Sequence, residues 1–166
     1  SIQGKKAYNF FLWLNNDTYL YKNSLKIILA DYKKVSSQSI IVGTTEYNKK
    51  LTYGGRKKLS SEIMSPNETP QKIKFMNGNC VLIPKIVFEN IGMLDDKFSH
   101  SLGDIDYGLR AIEGGITLYT SSKIIGDCEK DSKPWFKDKR FKQRIINLNS
   151  PKGVPINEYF YFNRRH

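Results

Sequence analysis

A chain of 166 residues, 39% apolar and 13% aromatic, is long enough to close one hydrophobic core and suits a single domain. No apolar run approaches the roughly 18 residues of a membrane span, and the longest early one, Phe10–Leu14, is too short for a signal peptide and lacks its cleavage pattern. The formal charge of +11 points to an anionic partner, whether a phosphorylated metabolite, a lipid headgroup or nucleic acid, and says nothing about fold.

Asn9–Leu14 is apolar on both alternating sets, which predicts a strand covered on both faces and therefore a parallel sheet. The spacing of Leu25, Ile28, Leu29 and Tyr32 predicts a helix, with Asn23 or Ser24 as its cap and Lys33 and Lys34 near its end. Ser39–Thr45 is the next strand, and strand, helix and strand form a right-handed βαβ unit of an α/β fold. Residues 48–70 are polar, contain Gly54, Gly55, Pro66 and Pro70, and read as one long loop, a length usually tied to function or disorder.

Two short strands, "KIKFMN" and "CVLIP", flank Gly78. A helix over about Lys85–Ile91, with Pro84 as its first residue, ends at Gly92. Another begins near Asp104 and stops at Gly114 and Gly115, after which "ITLYT" and "KIIG" are strands. Residues 1–126 form the core of this single domain, and residues 127–166 form a basic, aromatic tail with a helix through "WFKDKRFKQRII". Cys80 and Cys128 lie far apart without metal-type spacing and read as buried thiols in a reducing cytoplasm.

The chemistry concentrates where apolar runs stop. Asn15, Asn16 and Asp17 follow the first strand, at the carboxyl edge where open α/β sheets bind ligands. A carboxylate there holds a hard divalent cation or simply caps the next turn. Asp104 and Asp106 stand two apart on a helix, so both cannot aim at one atom. Asp104, at the helix start, either points into a cleft or caps backbone N–H groups. Asp106 pairs with Arg110. Asn77, Gly78 and Asn79 make either a tight turn or a loop beneath a substrate. Arg56, after Tyr53, Gly54 and Gly55, is offered to a phosphate or lies in solvent, and His100 has no second ligand at metal spacing.

"FLWLNNDT" and "MNGNCVLIPKIVFENIGMLDDKFSHSLGDIDYGLRAIEGGITLY" together resemble the donor and acceptor segments of family 2 glycosyltransferases, particularly the rhamnosyltransferase-like branch, and cover about half of the chain. The resemblance implies a GT-A fold, a Rossmann-like mixed sheet flanked by helices, here lacking the N-terminal nucleotide-binding β/α units. It implies inverting transfer from a nucleotide-diphosphate sugar to a saccharide or lipid-linked acceptor in cell-envelope polysaccharide biosynthesis.

In that family's terms, Asn15, Asn16 and Asp17 bind the donor. Asp17 holds Mn2+ or Mg2+, with Asn15 in place of the first acidic residue. Asp104 is the catalytic base, with Gly103 where relatives often carry Glu, and Asn77, Gly78 and Asp106 serve the acceptor. Asp127 or Cys128 falls where relatives have a metal-binding histidine. As a C-terminal part of the catalytic domain, the chain is expected to have weak or no transferase activity alone and to form a homodimer through exposed sheet edges. Nucleic acid is not an expected partner under this reading. The competing reading is a non-catalytic module binding polyanions or membrane surfaces through Trp135, Phe136, Lys137, Lys139, Arg140, Phe141, Lys142 and Arg144. Peripheral attachment at the inner face of the cell membrane suits either one.

Overall fold

The computed structural model describes residues 8–59, 61–99, 102–130, 140, 142, 144, 146 and 155–166. It is a mixed α/β structure built on a seven-stranded sheet. In chain order the elements are β1 (Phe10–Leu14), β2 (Tyr19–Leu20), α1 (Ser24–Lys33), β3 (Ser39–Tyr47), β4 (Lys50–Tyr53), β5 (Gln71–Ile73), β6 (Cys80–Pro84), α2 (Lys85–Ile91), α3 (Gly103–Glu113), β7 (Thr117–Asp127) and α4 (Ile156–Arg165).

The long strands β3 and β7 run parallel and form the spine, in the order β1-β6-β3-β7-β2. β6 lies antiparallel to both β1 and β3, so β1 and β3 point the same way with β6 between them. The expected βαβ unit is therefore present but split by a later strand. β3 is buried from Ser39 to Thr45 because both of its faces are covered. Ile40 and Val42 face one core with Val81, Ile83, Tyr107, Ala111 and Leu118, and Phe88 of α2 packs against that cluster. Ile41 faces the other with Cys80, Leu82, Ile125 and Ile28 of α1. The sheet is thus sandwiched between α1 on one face and α2 and α3 on the other.

Several expectations change. β1 is an antiparallel edge strand, and Leu12 and Leu14 are 38% and 40% exposed. One face is packed, where Phe11 meets Phe88 at 4.0 Å between ring centres; on the other, Phe10 packs against Tyr32 at 4.9 Å and only Leu12 and Leu14 stay open. Among the described residues its outer edge pairs with nothing. The 48–70 loop contains a hairpin. Asn48 and Lys49 take left-handed φ values of 51° and 61°, the geometry of a tight two-residue turn, and return the chain as β4 along β3. Pro84 ends β6 in extended conformation instead of starting α2. "ITLYT" and "KIIG" are parts of one continuous strand, β7.

Two buried polar groups fasten α1 to β7. The Ser24 hydroxyl donates to the Ile125 carbonyl, and Asp31 Oδ2 accepts the Ser122 N–H at 2.7 Å. No helix among the described residues is long and apolar enough to cross a membrane. Of the tail residues proposed for polyanion binding, Arg140, Lys142 and Arg144 are exposed; Trp135, Phe136, Lys137, Lys139 and Phe141 lie outside the described residues, as does His100.

Candidate functional site

Strand register assembles the site. Leu14 pairs with Cys80, so one step further the Asn15 N–H donates to the Asn79 carbonyl at 3.0 Å. "NND" and "NGN", some sixty residues apart in sequence, thereby become neighbours. The Thr18 N–H donates to the Asn15 carbonyl at 3.2 Å, closing a turn that leaves Asn16 and Asp17 exposed.

Gly78 is the next link. Its N–H donates to Asp104 Oδ2 at 3.0 Å, which ties the start of α3 to the same loop. The other carboxylate oxygen accepts the Ile105 N–H at 2.8 Å. No side chain caps α3; its N-cap is Leu102, held at a left-handed φ of 68°, uncommon for a residue with a branched side chain. Asp104 therefore sits inside the first turn with its carboxylate directed at the loop.

Asp17 and Asp104 border one cleft of about 360 Å3, whose other walls include Trp13, Asn15, Tyr53, Asn77, Gly78, Asn79, Leu94, Asp95, Phe98 and Ser99. Burial raises the Asp104 carboxyl above the ordinary aspartate value, against the pull of hydrogen bonds from Gly78, Ile105 and the Asn77 side chain. Asn77 Oδ1 is buried and has no hydrogen-bond partner. Such an unpaired buried acceptor oxygen beside a carboxylate is uncommon.

Gly78 is required, but not for the expected reason. A Cβ there would fall 2.3 Å from Cζ2 of Trp13, so the space a side chain would take is filled by indole and not by a ligand. Asn16 does not border the cleft.

Asp106 does not serve it either. Fully buried, it accepts Arg110 Nε at 2.8 Å, lies 3.0 Å from His166 Nε2 and 3.4 Å from Arg165 Nη1. The expected acceptor role for Asp106 is corrected: helix geometry turns it away from Asp104 and into the contact between α3 and α4.

The residues suggested as further metal ligands separate. Asp127 engages the Tyr21 hydroxyl, whose pKa is pushed up to about 12 by burial and by hydrogen bonds to Asp127 and Glu46. Cys128 lies beside Asp17 and accepts from Asn79 Nδ2 at 3.3 Å. Burial, with the negative charge of Asp17, raises its thiol, which opposes formation of the thiolate a metal requires. Among the described residues no three His, Cys, Asp or Glu side chains converge as a metal cage.

Sequence reasoning passed over the wall formed by Leu94, Asp95, Phe98 and Ser99. This segment is held by α4. Asp95 accepts Arg165 Nη1 at 2.6 Å and the Tyr161 hydroxyl at 2.9 Å, Ser99 donates to Glu158 at 2.6 Å, and the Phe98 ring packs against Tyr161 and Phe162. The repeating aromatic and basic residues of α4 were the available signal.

Compared with known proteins, the chain matches no family model and no curated sequence.

Proposed function

We propose that this chain is the metal- and acceptor-side part of an inverting glycosyltransferase of the GT-A type, acting on a nucleotide-diphosphate sugar. The observation that carries the reading is that Asp17 and Asp104 border the same cleft, one at an exposed turn and the other half-buried beside an unpartnered amide oxygen.

Asp104 is the general base. Its raised proton affinity suits removal of a proton from an acceptor hydroxyl, and the Gly78 and Ile105 N–H groups fix the carboxylate's orientation while leaving lone pairs free. The acceptor oxygen attacks the anomeric carbon as the bond to the diphosphate breaks, and inversion follows from that single displacement.

Asp17, with Asn15 at its side, would hold Mn2+ or Mg2+. A single exposed carboxylate fits an ion whose remaining positions are taken by substrate phosphate and water. Bound there, such an ion would supply Lewis-acid stabilisation of the departing diphosphate. Trp13 and Tyr53 flank the cleft as apolar walls. The competing membrane- or polyanion-binding reading rests on tail residues mostly outside the described set.

The test is a transfer assay over a panel of nucleotide-diphosphate sugars, paired with nucleoside-diphosphate binding in Mn2+. Asp104→Asn should keep metal-dependent binding and lose transfer by roughly a hundredfold or more. Asp17→Asn should lose both. Transfer that survives Asp104→Asn, or binding indifferent to Asp17→Asn, overturns the assignment.

A further inference from the structure

A second concavity, of about 600 Å3, lies between β4, the segment after it and the residue that follows Glu129 beyond β7, and it shares no lining residue with the Asp17–Asp104 cleft. Three cations line it: Lys50, Arg56 and Lys130. Glu62 is the one acidic residue among its lining. The balance is two positive charges in excess, set in a depression of the size that holds small ligands.

Arg56 is the informative member. Its backbone is fixed on both sides, the N–H donating to the Phe75 carbonyl at 2.9 Å and the carbonyl accepting the Lys74 and Phe75 N–H groups at 2.9 and 3.0 Å. The preceding Gly55 allows that closure, since a Cβ there would lie 2.5 Å from Ile73 Cδ1. The side chain is half-buried, yet neither it nor Lys50 or Lys130 has an ion-pair or side-chain hydrogen-bond partner among the described residues. Two other arginines that are at least partly buried have carboxylate partners, Arg110 with Asp106 and Arg165 with Asp95. A half-buried guanidinium on a rigid backbone is a planar, five-donor fork matched to phosphate oxygens.

The rim adds to this. The segment folds back on itself through the Met64 N–H to the Gly55 carbonyl at 2.9 Å and through Ser61, whose hydroxyl donates to the Lys58 carbonyl at 2.7 Å. The far wall is held by these hydrogen bonds, and Lys50 of the hairpin and Lys130 beyond the end of β7 line the same depression.

We propose that Lys50, Arg56 and Lys130 form a binding site for a dianionic phosphate group, with Arg56 as the bidentate anchor and the two lysines as flanking point charges. The site is independent of the transferase reading and stands if that reading fails. A free phosphorylated metabolite and a lipid phosphate headgroup present the same chemistry.

The test uses the whole chain in EDTA, which removes any divalent cation from the Asp17 cleft. One arm titrates pyrophosphate and a sugar 1-phosphate by calorimetry; the other measures sedimentation with vesicles containing phosphatidic acid. Binding in either arm should weaken roughly tenfold or more in Arg56→Ala, a loss expected of one charge-assisted bidentate contact. Arg56→Lys should recover only part of it. Asp17→Asn should bind like the unaltered chain. Lys22→Ala with Lys26→Ala, exposed cations on and before α1, should also leave binding unchanged, which separates a site from general attraction to a basic protein. Because the Arg56 guanidinium makes no ion pair or side-chain hydrogen bond among the described residues, Arg56→Ala should unfold within a few degrees of the unaltered chain. No binding in either arm up to about 10 mM phosphate groups, or binding equal in Arg56→Ala, overturns the proposal.

Discussion

Replacing Asp106 by alanine tests how the cleft wall is held. The carboxylate is fully buried, receives Arg110 Nε at 2.8 Å, and is approached by His166 at 3.0 Å and Arg165 at 3.4 Å. Removing one partner of a buried ion pair typically costs about 3–5 kcal/mol, because the charge left behind is uncompensated. Here the loss is partly relieved. Arg110 keeps the Ile91 and Met93 carbonyls at 3.0 Å, and Arg165, one-third exposed, keeps Asp95 at 2.6 Å. We therefore expect about 2–4 kcal/mol, toward the lower end of that range. For a chain of this size the melting temperature should fall by roughly 5–15 °C. Urea unfolding followed by circular dichroism gives the energy. Hydrogen exchange gives the location: α4 and the 94–99 segment should lose protection together, because α4 is joined to both. A loss below about 1 kcal/mol, or unchanged protection of α4, would refute the idea that Asp106 ties α3 to α4.

Gly78→Ala should destabilise by about 1–3 kcal/mol through overlap with the Trp13 indole, and a changed tryptophan emission spectrum would report the displaced ring. Asp104 has a folded-state pKa above its unfolded value, so its contribution is fully present below the unfolded pKa and is lost as pH rises through the folded one. Asp104→Asn should thus gain stability relative to the parent chain between acidic and neutral pH, measured by urea melts at pH 4 and pH 7; a constant difference contradicts the burial argument. Burial pushes the Cys80 thiol up to about 11 and raises that of Cys128, so both should react with a disulfide reagent at pH 8 far more slowly folded than in urea. Mn2+ alone should produce little thermal shift, and Mn2+ with a nucleoside diphosphate a larger one, because Asp17 supplies too few ligands by itself.

Local signals carried much of the fold. Gly92 and Gly114 stop α2 and α3 where their positions say helices stop, and α1 forms over Leu25–Tyr32 as expected, although Ile28 and Tyr32 pack on the core while Leu25 and Leu29 stay exposed. The hairpin at Asn48 and Lys49 was hidden in a polar stretch, although asparagine at a left-handed turn position is a recognised signal. β1 was misjudged as covered on both faces because a run such as "FFLWL" does not say which of its side chains will find a neighbour.

What the sequence determined alone was the type of most elements, since these follow from periodicity and turn chemistry within short windows. Tertiary structure decided the rest. Antiparallel pairing of β1 with β6 brought Asn15 to Asn79, the Gly78 N–H drew Asp104 to the same cleft, and α4 closed over Asp106 and buried it. Each is a contact between residues tens of positions apart, set by strand register and packing against other elements, and no local window of the chain contains that information.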